Sequence, residues 1–173
     1  MKDACAPDWL PDLVEFDWNN YQEAITRAYA VFWRDFGTER TRPTFRGRRM
    51  GLKRHPELEG KSATFWHFVT EGDIEADRTP VRERIERIGW PKAIIVESEA
   101  TPSRALVWTN ERRRSGHAKS ERWIIALGDF SYVVILDDRG EFVLPWAAYP
   151  VSETHRRRRL EKEYNDWKNA QKS

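Results

Sequence analysis

The sequence predicts an α+β fold, with N-terminal helices, then an antiparallel meander of about five strands, then one closing C-terminal helix. Three observations point there. Apolar residues recur at helical spacing over residues 20–36, in shorter stretches up to residue 89, and again after residue 152. Between residues 90 and 151 the pattern changes to short β-branched and aromatic runs separated by turn residues. Finally, 173 residues carrying nine Trp, eight Phe and five Tyr suit one domain with an aromatic core, although 34% of them are charged.

Residues 1–18 place Trp9, Leu10, Phe16 and Trp18 among prolines and acids without a steady period. They predict an arm that docks through its aromatics, ahead of a single domain over residues 19–173. The first helix follows: Tyr21, Ile25, Ala28, Tyr29, Phe32 and Phe36 share a face, Asn20 with Glu23 forms a capping pattern, and Gly37 stops it. Residues 37–61 have four Gly, two Pro and no apolar period, which predicts a long loop. Ser62 caps a short helix over residues 63–71, ended by Gly72. Thr79 and Pro80 begin another, with Val81, Ile85 and Ile88 on one face and Gly89 after it.

The runs PKAIIVES, RALVWTNE, ERWIIALGD, SYVVILDDR and EFVLPWAAYPV predict the five strands, with a hairpin turn at Asp138, Arg139 and Gly140. Ser152 caps the last helix, which runs to about residue 170 and turns Leu160, Tyr164 and Trp167 inward.

Charge is unevenly spread beneath a net +2. Residues 1–36 carry three basic and seven acidic side chains, residues 37–61 eight basic and three acidic, and residues 152–173 seven basic and four acidic. That distribution fits anion binding by part of the surface rather than a basic coat. No apolar stretch is long enough for a transmembrane helix, and the acidic, proline-broken start is unlike a signal peptide, so a cytoplasmic protein without membrane contact is expected. One cysteine, Cys5, excludes an intramolecular disulfide and a thiolate-clustered zinc site. Neither a metal nor a cofactor is expected: HExxH, Walker and G-x-S-x-G patterns are missing, and the run Glu71, Asp73, Glu75, Asp77 reads as helix caps and solvated charge.

Three groups of residues suit chemistry on nucleic acid. His67 and Glu71 stand four apart on one helix, so Glu71 could orient the imidazole and raise its pKa, readying it for proton transfer at a ribose hydroxyl. Flanked by Phe65, Trp66, Phe68 and Val69, His67 also suits a partly buried structural position. Arg46, Arg48, Arg49, Lys53, Arg54 and His55 crowd a loop where Gly37, Gly47 and Gly51 let backbone approach an anion and Phe45 could stack on a base. A solvated charged loop explains them equally well. Trp108, Asn110, Arg112, Arg113 and Arg114, with His117 and Lys119 after them, could hold a phosphate beside a stacking ring, or form an ordinary polar hairpin. His155 and Arg156 to Arg159 repeat the theme; Asp129, Asp137 and Asp138 are expected partners for some of these arginines.

The phrases FRGRRMGLKRHPELEGKSATFWHFVTEGD, RERIERIGWPKAIIVE and LPWAAYPVSETHRRRRLEKEY, in this order, resemble small phage and mobile-element proteins of the barnase–EndoU–colicin–RelE group of metal-independent ribonuclease-like folds. The resemblance spans roughly residues 20–168. It implies RNA bound on the face of an antiparallel sheet and cleaved by the ribose 2′-hydroxyl. It further implies His67 as the helix-borne base or acid, Arg112 and Tyr149 as strand- or loop-borne residues, and Lys53 or Arg54 from the loop. His55, His117 and His155 compete for a second acid–base role. Three functions follow: an endoribonuclease or RNA-targeting toxin, a non-catalytic RNA-binding or translation-modulating protein, and a protein-binding inhibitor using exposed aromatics. The partners expected are RNA and a protein antitoxin or host factor.

Overall fold

The computed structural model describes residues 2–112 and 120–173, the side chain of Arg112 excepted. Asn20 opens α1 (Tyr21–Phe36), its side-chain oxygen accepting from the Glu23 N–H at 3.2 Å. Ala24, Ile25, Ala28, Phe32 and Phe36 form its buried face. Gly37 closes the helix in right-handed conformation, with φ −63°.

Residues 37–61 are more ordered than a loop. Phe45 and Arg48 exchange two backbone hydrogen bonds of 3.0 Å around Arg46 and Gly47, and Leu58 and Lys61 do the same around Glu59 and Gly60. All four central residues have φ between 49° and 74°. Positive φ at both central positions defines the type I′ turn, and glycine at the second of them removes half the steric cost. Between these turns, β1 (Arg49–Met50) pairs parallel with Phe142 and Val143. The Arg48 guanidinium grips Asp138 at 2.7 Å and holds that carboxyl down at about 2. These long-range anchors are what a period search misses.

Ser62 caps α2 (Ala63–Val69), all seven residues of which are buried. The helix stops two residues earlier than its pattern predicts. Thr70–Glu71 (β2) instead pairs with Thr79–Pro80 (β3), so Thr79 and Pro80 lie in a small hairpin and do not begin a helix. Arg78 fastens this hairpin, donating to the Thr70 hydroxyl, the Thr70 carbonyl and the Gly72 carbonyl at 2.6–2.9 Å. A 3₁₀ turn, Glu75–Asp77, sits at its tip, and α3 (Arg82–Glu86) follows without a side-chain cap.

The run PKAIIVES is a helix, not a strand: α4 spans Trp90–Ser98. Pro91 fits the first turn, and Trp90, Pro91, Ile94 and Ile95 are buried at four-residue spacing. The isoleucines, chosen for packing, misdirect a reading based on β-propensity. The other four runs form the meander: β4 (Ala105–Arg112), β5 (Ser120–Leu127), β6 (Tyr132–Asp138) and β7 (Phe142–Pro150), all neighbours antiparallel. With β1 the sheet has five strands in the order β1-β7-β6-β5-β4. The α+β class and the closing helix α5 (Thr154–Ala170) stand as predicted, although Glu153, not Ser152, precedes α5 and gives no side-chain cap.

The sheet separates two cores. Ile125, Leu127, Val134, Leu136 and Val143 pack with residues of α1 to α4, including Phe32, Phe36, Phe65, Phe68 and Ile94. Leu10 is buried in that core, and Trp9, Phe16 and Trp18 pack against it. On the opposite face Trp108, Ile124 and Val133 meet Leu160, Tyr164 and Trp167 of α5.

Candidate nucleic-acid interface

The centre of interest is the edge where β7 meets α2. Ile135 pairs with Ala147 and Leu136 with Pro145, which leaves Trp146 as an extra residue, a β-bulge. Three basic side chains surround its ring. The Lys53 ammonium lies 5.0 Å from the ring centroid, the Arg122 guanidinium 4.8 Å, and the His67 imidazole meets it edge-to-face at 5.2 Å. Lys53 is held there by its backbone: its N–H donates to the Thr64 hydroxyl at 2.9 Å, and its carbonyl accepts from the Thr64 N–H at 3.0 Å. Arg122, in turn, is paired with Asp137 at 2.6 Å.

His67 Nε2 lies 2.9 Å from the Glu75 carboxylate. The partner expected from helical spacing was Glu71, but α2 ends before it. Glu71 instead sits 3.9 Å from Arg84. Glu75 reaches back because the β2–β3 hairpin returns the chain past the imidazole, and it belongs to the acidic run read as caps. Burial pushes the His67 pKa down, overriding the opposing pull of the Glu75 hydrogen bond. Burial therefore favours the neutral form of the ring, opposite to the raised pKa expected. Burial also acts to raise Glu75, but the hydrogen bond from His67 and the charges of Lys53 and Arg78 leave it lowered overall. A neutral ring donating from Nε2 to a carboxylate keeps its lone pair on Nδ1.

The basic loop adds cations beside this edge. Burial lowers the Arg42 pKa; Glu39 opposes the shift, and Arg54 and Arg49 extend it. Arg42 thus feels the charge of both Arg49 and Arg54. Arg49 stacks its guanidinium 4.9 Å from the Phe142 ring, and both Arg49 and Arg54 are exposed.

At the other end of β7, Tyr149 lines a polar cavity of about 660 Å³ together with Glu71, Arg84 and Arg87. Arg84 stacks 5.0 Å from the Tyr149 ring and donates to the Thr70 carbonyl at 2.5 Å and the His67 carbonyl at 3.5 Å. Burial lowers its pKa as well. Arg84 thus links the cavity to the backbone of the histidine helix.

The four expected catalytic residues do not assemble into one site. Arg112 belongs to β4, three strands from β7, and pairs with Ser120 at the far strand end. At about 3.3 Å per residue and 4.8 Å per strand, its backbone stands roughly 20–25 Å from that of Tyr149. Phe45 and Trp108 are buried and stack on no base; the Trp108 indole donates to Glu163 at 2.8 Å. Arg48 is committed to Asp138, whereas Arg46 lies over Trp123 at 4.6 Å. Arg113, Arg114, His117 and Lys119 lie outside the described residues.

Asp137 and Asp138 engage Arg122, Arg139 and Arg48, not the arginines of α5. In α5, Arg156 pairs with Glu153 and Arg157 donates to the Val151 carbonyl. Sequence reasoning missed Glu75, Arg84, Arg122 and Trp146. Pro145, a proline inside an apparent strand, was the available signal for the bulge.

Among the described residues no group of three or more His, Cys, Asp or Glu is placed to hold a metal ion, and no helix is long and apolar enough to cross a membrane. No protein-family model, curated protein or solved structure matches this chain.

Proposed function

We propose that the protein is a metal-independent endoribonuclease that works at the β7 edge. The observation carrying this reading is the buried His67, hydrogen-bonded to Glu75, with its ring and the Lys53 ammonium both set against Trp146. In the reaction, His67 Nδ1 removes the proton of a ribose 2′-hydroxyl. The 2′-oxygen bonds to the adjacent phosphorus, the bond to the 5′-oxygen breaks, and that oxygen takes a proton from water, which His67 restores when it releases its own. Lys53 balances the charge that develops on the phosphorane oxygens, and Arg49 and Arg54 hold flanking phosphates. Trp146 offers a ring against which a base can stack. Glu71, Arg84 and Tyr149 line a cavity that can receive a neighbouring nucleotide.

Total RNA incubated with the protein in EDTA should be cut and should carry 2′,3′-cyclic phosphate ends. Cleavage that requires a divalent cation would overturn the mechanism.

A second reading, RNA binding without cleavage, is favoured by one observation. His67 is only 4% exposed, with the Trp146 ring against it, which leaves a ribose little access to the imidazole. Intact RNA in the same experiment would select this reading.

Both readings expect log affinity to fall linearly as log salt rises. Replacing Arg49 and Arg54 with Ala should flatten that line by roughly 0.7 for each phosphate of a single strand that is no longer neutralised. Fluorescence titrations across a salt series measure it, and an unchanged slope would place the strand elsewhere.

A further inference from the structure

Behind the His67–Glu75 pair lies a second cavity, of about 520 Å³. Its walls are largely apolar: Tyr21 from α1, Leu58 from the second tight turn and Pro56 just before it, Trp66 from α2, and Ala76 and Pro80 from the small hairpin. That volume falls in the range that small molecules occupy, and the lining is of the kind that holds a flat ring. Two of the apolar side chains stand open to solvent, Leu58 at 58% exposure and Tyr21 at 47%. Apolar groups of this size clustered at a concave opening mark a surface that takes something.

The polar groups around the cavity say what that is. Glu57, Glu59 and Glu75 line it. Among the described residues, the side chains of Glu57 and Glu59 have no ion-pair partner. Their fields reach the neighbouring phenols: burial raises the pKa of Tyr21 and Tyr29, and Glu59 and Glu57 respectively add to it. Arg78, the only cation among the described residues of the lining, donates to Thr70 and Gly72 and its charge offsets that of Glu75, which leaves Glu57 and Glu59 as the excess negative charge. An ionised carboxylate only accepts hydrogen bonds, so the cavity offers acceptors and negative charge around an apolar floor. Glu59 is held in this rim by a turn that forces it to φ 52°.

We propose that this cavity binds a flat aromatic or heteroaromatic ring bearing amino N–H donors and no negative charge. The chemistry is shared by a free arylalkylamine, whose ammonium donates, and by a nucleobase with an exocyclic amino group; uracil lacks that group. Glu75 also lines the cavity, so an occupant is felt at His67. Such binding does not depend on ribonuclease activity.

The test is a set of titrations of the full chain followed by NMR, reading the Leu58 methyl and His67 ring resonances. Tryptamine and guanosine represent the two sources. Indole-3-acetate carries the same ring as tryptamine with the opposite charge, and uridine lacks the amino group. Saturable shifts with tryptamine, guanosine or both, at affinities at least tenfold above those of indole-3-acetate and uridine, are expected. Guanosine alone would identify a base of the strand as the source, and tryptamine alone a free amine.

The double variant Glu57→Gln, Glu59→Gln should lower the affinity for the bound probe at least tenfold, with an unchanged amide spectrum elsewhere. No saturable shift with either amine would overturn the site. Equal affinity for tryptamine and indole-3-acetate, or an unchanged affinity in the double variant, would overturn its charge selection. RNA cleavage in EDTA, measured separately, decides the enzymatic reading whatever these titrations give.

Discussion

Replacing Phe32 with Ala should lower the free energy of unfolding by about 3–5 kcal/mol, the cost of emptying a fully packed aromatic site. Phe32 is 1% exposed and its ring contacts those of Tyr29, Phe36, Phe65 and Phe68 at centroid distances of 5.5–6.1 Å. Its ring thus ties α1 to both Phe65 and Phe68 of α2. The destabilisation combines the transfer of a large apolar side chain with a cavity that its neighbours, themselves aromatic and stiff, fill poorly. A chemical denaturation midpoint and its slope measure the effect, and a change under about 1 kcal/mol would mean that the two helices do not depend on this ring. Because α2 carries His67, part of the damage should reach the candidate site before the protein unfolds.

His67→Ala carries the largest expected effect on rate. If the ring takes the 2′-hydroxyl proton, cleavage should slow by roughly 10²–10⁴-fold while RNA affinity stays nearly constant, since phosphate binding lies with Lys53, Arg49 and Arg54. Removing a buried, hydrogen-bonded side chain also disturbs packing, so Glu75→Gln serves as the second variant. It keeps the shape, removes the charge and lies nearer solvent. Both variants should slow cleavage with the circular dichroism of the fold preserved.

The pH dependence gives a further distinction. Burial favours the neutral ring, so the base form persists below the pH at which a free histidine becomes protonated, and the acid limb of the rate profile should lie on the acid side of the ordinary histidine range. Full activity in His67→Ala would remove the residue from the mechanism.

Helix α1 and strands β4 to β7 were legible because their patterns are local. A face repeating every three or four residues, or short apolar runs between turns, survives any tertiary context. Trp90–Ser98 was misread because its isoleucines serve a buried face in either conformation, and a nine-residue segment gives periodicity little room to decide.

The site was legible in its residue types and misleading in its partnerships. His67 and Lys53 were visible as candidates, yet Glu75 lies 8 positions beyond His67, and Arg122 and Trp146 lie 69 and 93 positions beyond Lys53. Helical spacing proposes Glu71 for His67, and only a helix that ends at Val69 frees the chain to bring Glu75 instead. Trp108 shows the converse. An aromatic beside arginines suggests a stacking platform, but alternation along β4 turns it toward α5, where Glu163 accepts its N–H.

The extra residue in β7 also bears on how molecules of this protein meet. A sheet's outermost strand is a template for another chain, because it offers alternate N–H and C=O groups to any extended segment. Here one border of the sheet is closed in two ways. The two residues of β1 occupy Phe142 and Val143, and beyond them Pro145 and Pro150 supply no N–H while Trp146 breaks the repeat. Strand-to-strand growth into fibrils or swapped dimers is therefore blocked on the side that carries Lys53 and His67. Any such growth must start from β4, at the opposite border, and would leave the histidine edge uncovered.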